Sequence, residues 1–187
     1  MSKSSSTNYL AKAYTMINYD LKKIKALVFD VDGVLSTENV RVDTSGELLR
    51  TANTKDGYAL RLAAMSGLHV AVITGARESS ILARYEAIGI HDVFLGSSIK
   101  TEKLQQLLEK YNLTADEVLY MGDDIPDYEV MKQVGLPCCP KDAAPEIRNI
   151  SVYVSHKEGG CGCVRDVIEQ VLKAQEKWMA DKKAFSW

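Results

Sequence analysis

The sequence predicts an α/β fold: a doubly wound, mostly parallel sheet of Rossmann type, with a short β-hairpin insertion. Three observations carry this. From residue 26 onward, short apolar runs alternate with amphipathic segments of helical period. The runs are continuously apolar, as in strands buried on both faces. Polar and acidic residues gather directly after the runs, where open α/β sheets place their ligand crevice.

The strand candidates are ALVF (26–29), HVAVI (69–73), DVFL (92–95) and VLYM (118–121), followed by the weaker LPCC (136–139) and VYV (152–154). Between them, Ile81, Leu82, Tyr85 and Ile88, then Leu104, Leu107, Leu108 and Tyr111, recur at helical spacing. Gly67 and Gly89 stand where left-handed helix caps are needed. One segment breaks the order. Between Leu35 and Asp56, Val40 and Val42 alternate with polar residues, Thr44-Ser45-Gly46 supplies a turn, and Leu48 to Ala52 can return antiparallel. This predicts a hairpin over about 36–52, standing above the strand ends. VRDVIEQVLKAQEKWMADKK reads as a final amphipathic helix, approached through Gly159, Gly160 and Gly162, which make that approach flexible. Residues 1–20, Ser-rich and without the apolar core of a secretory signal, are expected to be a flexible lead-in to one domain over 21–187, with the Gly-rich tail and helix at about 157–187.

A net charge of −2 gives no basic footprint for nucleic acid, and no apolar stretch reaches the length of a membrane span. A cytoplasmic protein is expected. Cys138, Cys139, Cys161 and Cys163 are spaced poorly for disulfides. For Cys138-Cys139, filling of a buried strand is a better explanation than a metal site built from both pairs with His156.

The chemistry lies after the runs. Asp30 and Asp32 follow the first strand, Thr74 and Gly75 the second, Lys100 the third after a short loop, and Asp123, Asp124 and Asp127 the fourth. So many carboxylates in one crevice need a cation, since two unit charges 4 Å apart repel by about 4 kcal/mol at an effective dielectric near 20. All the ligands are oxygens, which selects a hard ion such as Mg²⁺. Thr74, the Gly75 amide and Lys100 suit a tetrahedral oxyanion. Acids, Mg²⁺ and a donor cradle together describe phosphoryl chemistry. With Asp30 and Asp32 two residues apart, one can attack phosphorus while the other moves the proton.

These four elements resemble those of the haloacid dehalogenase superfamily of phosphatases, over residues 26 to about 172. The resemblance implies Asp30 as nucleophile and Asp32 as general acid/base. It implies Thr74 and Lys100 as phosphate binders, and Mg²⁺ held by Asp30, the Asp32 carbonyl and Asp123, with Asp124 and Asp127 supporting. Only about twenty residues separate Leu35 from Asp56, so the hairpin stands in place of a cap domain. Within the superfamily, the hairpin, NTKDGYALR and KEGGCGCVRDVIEQVL resemble the 3-deoxy-D-manno-octulosonate 8-phosphate phosphatases, which serve lipopolysaccharide precursor synthesis. That likeness implies a sugar-acid phosphate substrate, contacts from Asn53, Thr54, Lys55, Asp56, Gly57, Arg61 and Arg84 as well as Asp32, and a homotetramer in which a neighbour's tail reaches the site. Ala76 and Cys161 stand where that family usually has Arg, so phosphatases of nine-carbon sialic-type 9-phosphates remain open at this point. Two other classes fit less well. A receiver-type phosphoacceptor domain needs an adjacent acid pair on strand one and an acceptor Asp on strand three, whereas here the spaced pair comes first and the adjacent pair follows the lysine. A non-catalytic scaffold has no need of every catalytic residue type.

Overall fold

Six parallel strands form the central sheet of the computed structural model, which describes residues 16–185. They are β1 (Ala26–Phe29), β4 (His69–Ile73), β5 (Asp92–Phe94), β6 (Val118–Met121), β7 (Leu136–Cys139) and β8 (Tyr153–Val154), in the order β5–β4–β1–β6–β7–β8. Every pairing is parallel, with Ala26 opposite both His69 and Val118. The order reverses at β1, so crossovers run outward to one side and then to the other, and the crevice opens at the carboxyl end of β1.

Successive strand residues point to opposite faces, and each face has its own apolar layer. Leu27, Phe29, Val70, Val72, Leu119 and Met121 pack under α1 (Thr54–Met65), α2 (Ser79–Glu86) and α6 (Cys163–Ala174). Ala26, Val28, Ala71, Ile73, Val118 and Tyr120 pack under α3 (Lys100–Tyr111), α4 (Tyr128–Met131) and α5 (Pro145–Ile150). This double cover is why the strand runs carry no polar alternation. The hairpin is present and short: β2 (Arg41–Val42) pairs antiparallel with β3 (Leu48–Leu49). Asp43 ties its turn by accepting the Ser45 and Glu47 N–H groups.

Three expectations are revised. Residues 1–15 of the lead-in lie outside the described residues, but Ile17 is buried and its N–H donates to Gln170, so the packed body begins before residue 21. The last helix ends at Ala174 rather than continuing to Lys183. Glu176 turns left-handed (φ 59°) and Lys177 N–H reaches back to the Leu172 carbonyl, a Schellman-type stop that brings Trp178 edge-on to Tyr58. The glycine approach is also fixed rather than flexible. Gly160 N–H donates to the Val34 carbonyl and Gly159 N–H to Asp142. A Cβ on Gly159 would stand 2.0 Å from the Gly33 carbonyl oxygen, so only glycine lets the two backbones meet. The short α5 carried no periodic signal because only Ile147 of its residues is buried.

Asp56 ties α1 to α6. The residue before α6 is Gly162, which has no capping side chain, and the carboxylate of Asp56 accepts the Arg165 N–H in the first turn instead (2.7 Å). Asp56 is fully buried, and burial pushes its pKa up to about 6 against the pull of that N–H. The folded chain therefore holds this proton more tightly than the unfolded one, so stability falls as pH rises from about 4 to about 6. Urea unfolding should show wild type losing up to about 3 kcal/mol relative to Asp56→Asn across that window, at 1.36 kcal/mol per pKa unit.

Candidate active site

The loop after β1 shapes the crevice. Asp30 ends the strand in extended backbone, Asp32 is again extended (φ −70°, ψ 130°), and Gly33 turns left-handed (φ 74°). Ser36 N–H closes the loop on the Val31 carbonyl at 2.8 Å. A Cβ on Gly33 would lie 1.9 Å from Asp123 Oδ2, so glycine is needed there for space as well as for conformation. The resulting crevice, of about 930 Å³, is lined by Asp30, Asp32, Thr74, Gly75, Lys100, Asp123 and Asp124 among others. The sheet thus brings together four separate stretches of sequence.

At its floor, Lys100 Nζ donates to Asp30 Oδ2 (2.6 Å) and to Asp127 Oδ1 (2.7 Å). The Lys100 side chain is 5% exposed and that of Asp127 1%. Asp127 is fully engaged: Oδ1 also accepts the Tyr120 hydroxyl (2.7 Å), and Oδ2 accepts the Asp123 N–H (3.2 Å). Asp30 Oδ1 accepts its neighbour's N–H, from Val31, at 2.6 Å. Burial alone would lower the Lys100 pKa, and the two carboxylates reverse this and raise it.

Oxygens of Asp30, Asp123 and Asp127 lie within 4.8 Å of one another. Fully ionised, three carboxylates facing one ammonium leave an excess of two negative charges. Burial, then repulsion from Asp127, pushes Asp30 up to about 7, although Lys100 pulls the other way. Burial, then repulsion from Asp30 and Asp127, pushes Asp123 up to about 8. An all-oxygen set carrying that excess charge fits a hard divalent cation.

Beside the acids, Thr74 Oγ1 accepts the Ala76 N–H (3.1 Å), which leaves its own proton for an oxyanion. Ser97 and Ser98 complete this wall, and Arg77 rather than Ala76 brings a guanidinium to the rim. Asp124 is exposed at the crevice edge.

The remaining expected contacts lie apart from these lining residues. Asn53 caps α1 by accepting the Lys55 and Asp56 N–H groups, and its Nδ2 donates to the Gly160 carbonyl. Thr54 and Lys55 are exposed, Asp56 and Gly57 are buried in α1, and Arg61 and Arg84 are half-buried on α1 and α2. None of the seven lines the crevice of this chain.

Several crevice residues were missed from the sequence: Arg50, Glu78, Asp142 and, behind the floor, Tyr120. Arg50 carried one usable signal. It lies two residues after Leu48 on the returning strand, and period-2 alternation puts both on the inner face. Tyr120 was hidden inside an apolar run.

Residues 87–165 match the family of haloacid dehalogenase-like hydrolases. The chain is 39% identical over 156 residues to the 3-deoxy-D-manno-octulosonate 8-phosphate phosphatase of Salmonella typhi, covering 83% of each. It resembles the crystal structure of the Yersinia pestis phosphatase of that name at a TM-score of 0.82 and 37% identity, covering 84% of this chain and 85% of the other. The Moraxella catarrhalis phosphatase, solved with a magnesium ion, a phosphate ion and a KDO molecule, gives a TM-score of 0.84 at 30% identity, covering 89% and 96%.

Mg²⁺ should stabilise chelator-treated protein, by about 2.7 kcal/mol at one hundred times its Kd. Because Asp30 and Asp123 hold protons up to about pH 7 and 8, the ion competes with fewer protons as pH rises. The Mg²⁺-induced rise in Tm should therefore be larger at pH 8 than at pH 6, and Asp123→Asn should abolish most of it.

Proposed function

The chain belongs to the haloacid dehalogenase-like hydrolases, among the 3-deoxy-D-manno-octulosonate 8-phosphate phosphatases, and from that premise we propose that it hydrolyses this sugar-acid phosphate to the free sugar acid and phosphate. The observation that carries the reading is the floor of the crevice: Asp30 held by Lys100 and Val31, directly beside the Asp123 carboxylate and the Thr74–Gly75 wall.

In the proposed reaction, a carboxylate oxygen of Asp30 forms a bond to phosphorus as the bond from phosphorus to the sugar oxygen breaks. Asp32 gives its proton to the leaving oxygen. Water then attacks the aspartyl-phosphate, Asp32 takes a proton from it, and the bond from phosphorus to Asp30 breaks to release phosphate. Both carboxyl groups return to their starting states. Thr74, the Gly75 amide and Lys100 hold the phosphoryl oxygens. Mg²⁺ fits Asp30, Asp123 and the Asp32 carbonyl, with Asp124 and Asp127 supporting, and when bound it supplies neutralisation of the charge gathered there. Lys100 and Tyr120 fix Asp127, and Asp127 in turn fixes the Asp123 backbone.

The substrate assignment is supported by the rim as well. Arg77 stands beside the crevice where a carboxylate-bearing sugar would extend, and guanidinium pairs well with carboxylate. We further propose a homotetramer, since the hairpin exposes an apolar side chain on each of its faces, Val42 opposite Leu48 and Leu49 opposite Arg41. The proposed setting is the cytoplasm, where charged sugar phosphates are retained; among the described residues no helix is long and apolar enough to cross a membrane.

Asp30→Asn should lower Mg²⁺-dependent hydrolysis by at least about 10³-fold, the scale of losing a nucleophile. On one wild-type preparation, kcat/KM for the octulosonate 8-phosphate should exceed that for a nine-carbon 9-phosphate by about tenfold or more. Equal, low values on both would reject the sugar-acid assignment, and a monomer in sedimentation at assay concentration would reject the tetramer.

A further inference from the structure

Among the described residues, Arg50 is the one cation lining the crevice to which neither the proposed reaction nor the substrate assignment gives a task. It follows β3, so the hairpin carries it over the strand ends, with Leu48 on the same inner face and Leu49 turned outward. Its Nε donates to Asp32 Oδ1 (2.7 Å) and its Nη2 to Asp32 Oδ2 (2.9 Å), a bidentate fork. Nη1 lies 3.0 Å from Glu78 Oε2, an ion pair rather than a well-directed hydrogen bond. The Arg50 side chain is only 9% exposed, whereas that of Asp32 is 41% exposed.

Asp30 and Asp32 are therefore fixed in different ways. Asp30 is held by its own loop and by the buried lysine. Asp32 has no such backbone anchor among the described residues. Its other donor is the Ser36 hydroxyl (3.2 Å), whose one proton is shared with the Val31 and Thr37 carbonyls at 3.3 Å. A half-exposed carboxylate without a strong partner turns freely about its side-chain bonds, and proton transfer needs it aimed. The two short donors to Asp32 belong to one planar fork, so the fork sets the plane of the carboxylate as well as its place.

We propose that Arg50 is a positioning residue, which aims Asp32 at the leaving-group oxygen and is itself held by Glu78. This rests on the reading of Asp32 as the general acid. The geometry favours positioning over substrate binding, because Nε, Nη1 and Nη2 all already face carboxylates of the chain. It also gives the hairpin a task in chemistry: the segment standing in place of a cap completes the acid of the first motif.

The test is the dependence of kcat/KM on the leaving group, which reports the step that breaks the substrate's ester bond. An alkoxide leaving group needs the proton from Asp32, whereas p-nitrophenolate leaves without it. Neither propyl phosphate nor substituted phenyl phosphates carry a carboxylate, so sugar recognition does not enter. For Arg50→Gln, kcat/KM should fall about tenfold or more on propyl phosphate and less than about threefold on p-nitrophenyl phosphate, within the 10²–10⁴-fold scale of general-acid catalysis. The slope across the phenyl series should steepen. Arg50→Lys, which keeps a cation beside Asp32, should recover part of the loss. A uniform loss across all esters in Arg50→Gln, with the slope of wild type, would reduce Arg50 to an anchor for the hairpin and overturn the proposal. Asp32→Asn separates the two readings: a steepened slope there beside an unchanged one in Arg50→Gln rejects the positioning role alone. An unchanged slope in Asp32→Asn rejects the acid assignment and the proposal with it.

Discussion

Lys100 Nζ, buried between Asp30 and Asp127, is the interaction on which the crevice is built. Two strand ends, those of β1 and β6, would otherwise bring three carboxylates within a few ångström in a place where water screens them poorly. One ammonium neutralises part of that charge, and the excess that remains gives the site its affinity for a divalent cation. The same lysine fixes Asp127, which holds the backbone of Asp123. Truncating Lys100 would leave buried acids without a countercharge, a larger loss than that of one hydrogen bond. The position also begins α3, so the loop after β5 and the helix it feeds are committed to delivering this one group.

Close backbone approaches make room for that charge network. Gly33 admits the Asp123 carboxylate, and Gly122 admits Asp127, where a Cβ would come within 2.3 Å of its carboxyl carbon. Behind the first motif, Gly159 and Gly160 let the loop before α6 lie directly on Gly33, Val34 and Thr37. Asp56 then fastens α6 by capping its first turn from α1. The loop after β1 is thus gripped from its front by the acid network and from its back by the C-terminal element. A loop that must hold two carboxylates in different settings gains its rigidity from this double support.

The strands and the central acids were legible because their signals are local. ALVF and VLYM are continuous apolar runs since each face of the sheet is covered, and Asp30, Asp32, Thr74, Lys100 and Asp123 each follow such a run or the short loop after it. The hairpin was legible from Val40, Val42 and the Ser45-Gly46 turn. The end of α6 was not, because its amphipathic pattern continues past Ala174 and the stop is made by a left-handed Glu176 and by Trp178 packing on Tyr58. Asp56 was read as a substrate contact beside Asn53, and its burial at the head of α6 depends on a helix more than a hundred residues away.

The sequence by itself determined the fold class, the strand-end acids, the need for a hard cation and the reaction those residues suit. Each of these follows from residue type and short-range spacing. Only the tertiary structure decided which polar groups share partners. Arg50 and Asp32 are eighteen residues apart, Lys100 and Asp30 seventy, and Arg165 and Asp56 more than a hundred. Pairing over such separations is set by strand order and hairpin register, and no local pattern encodes where those bring a side chain to rest.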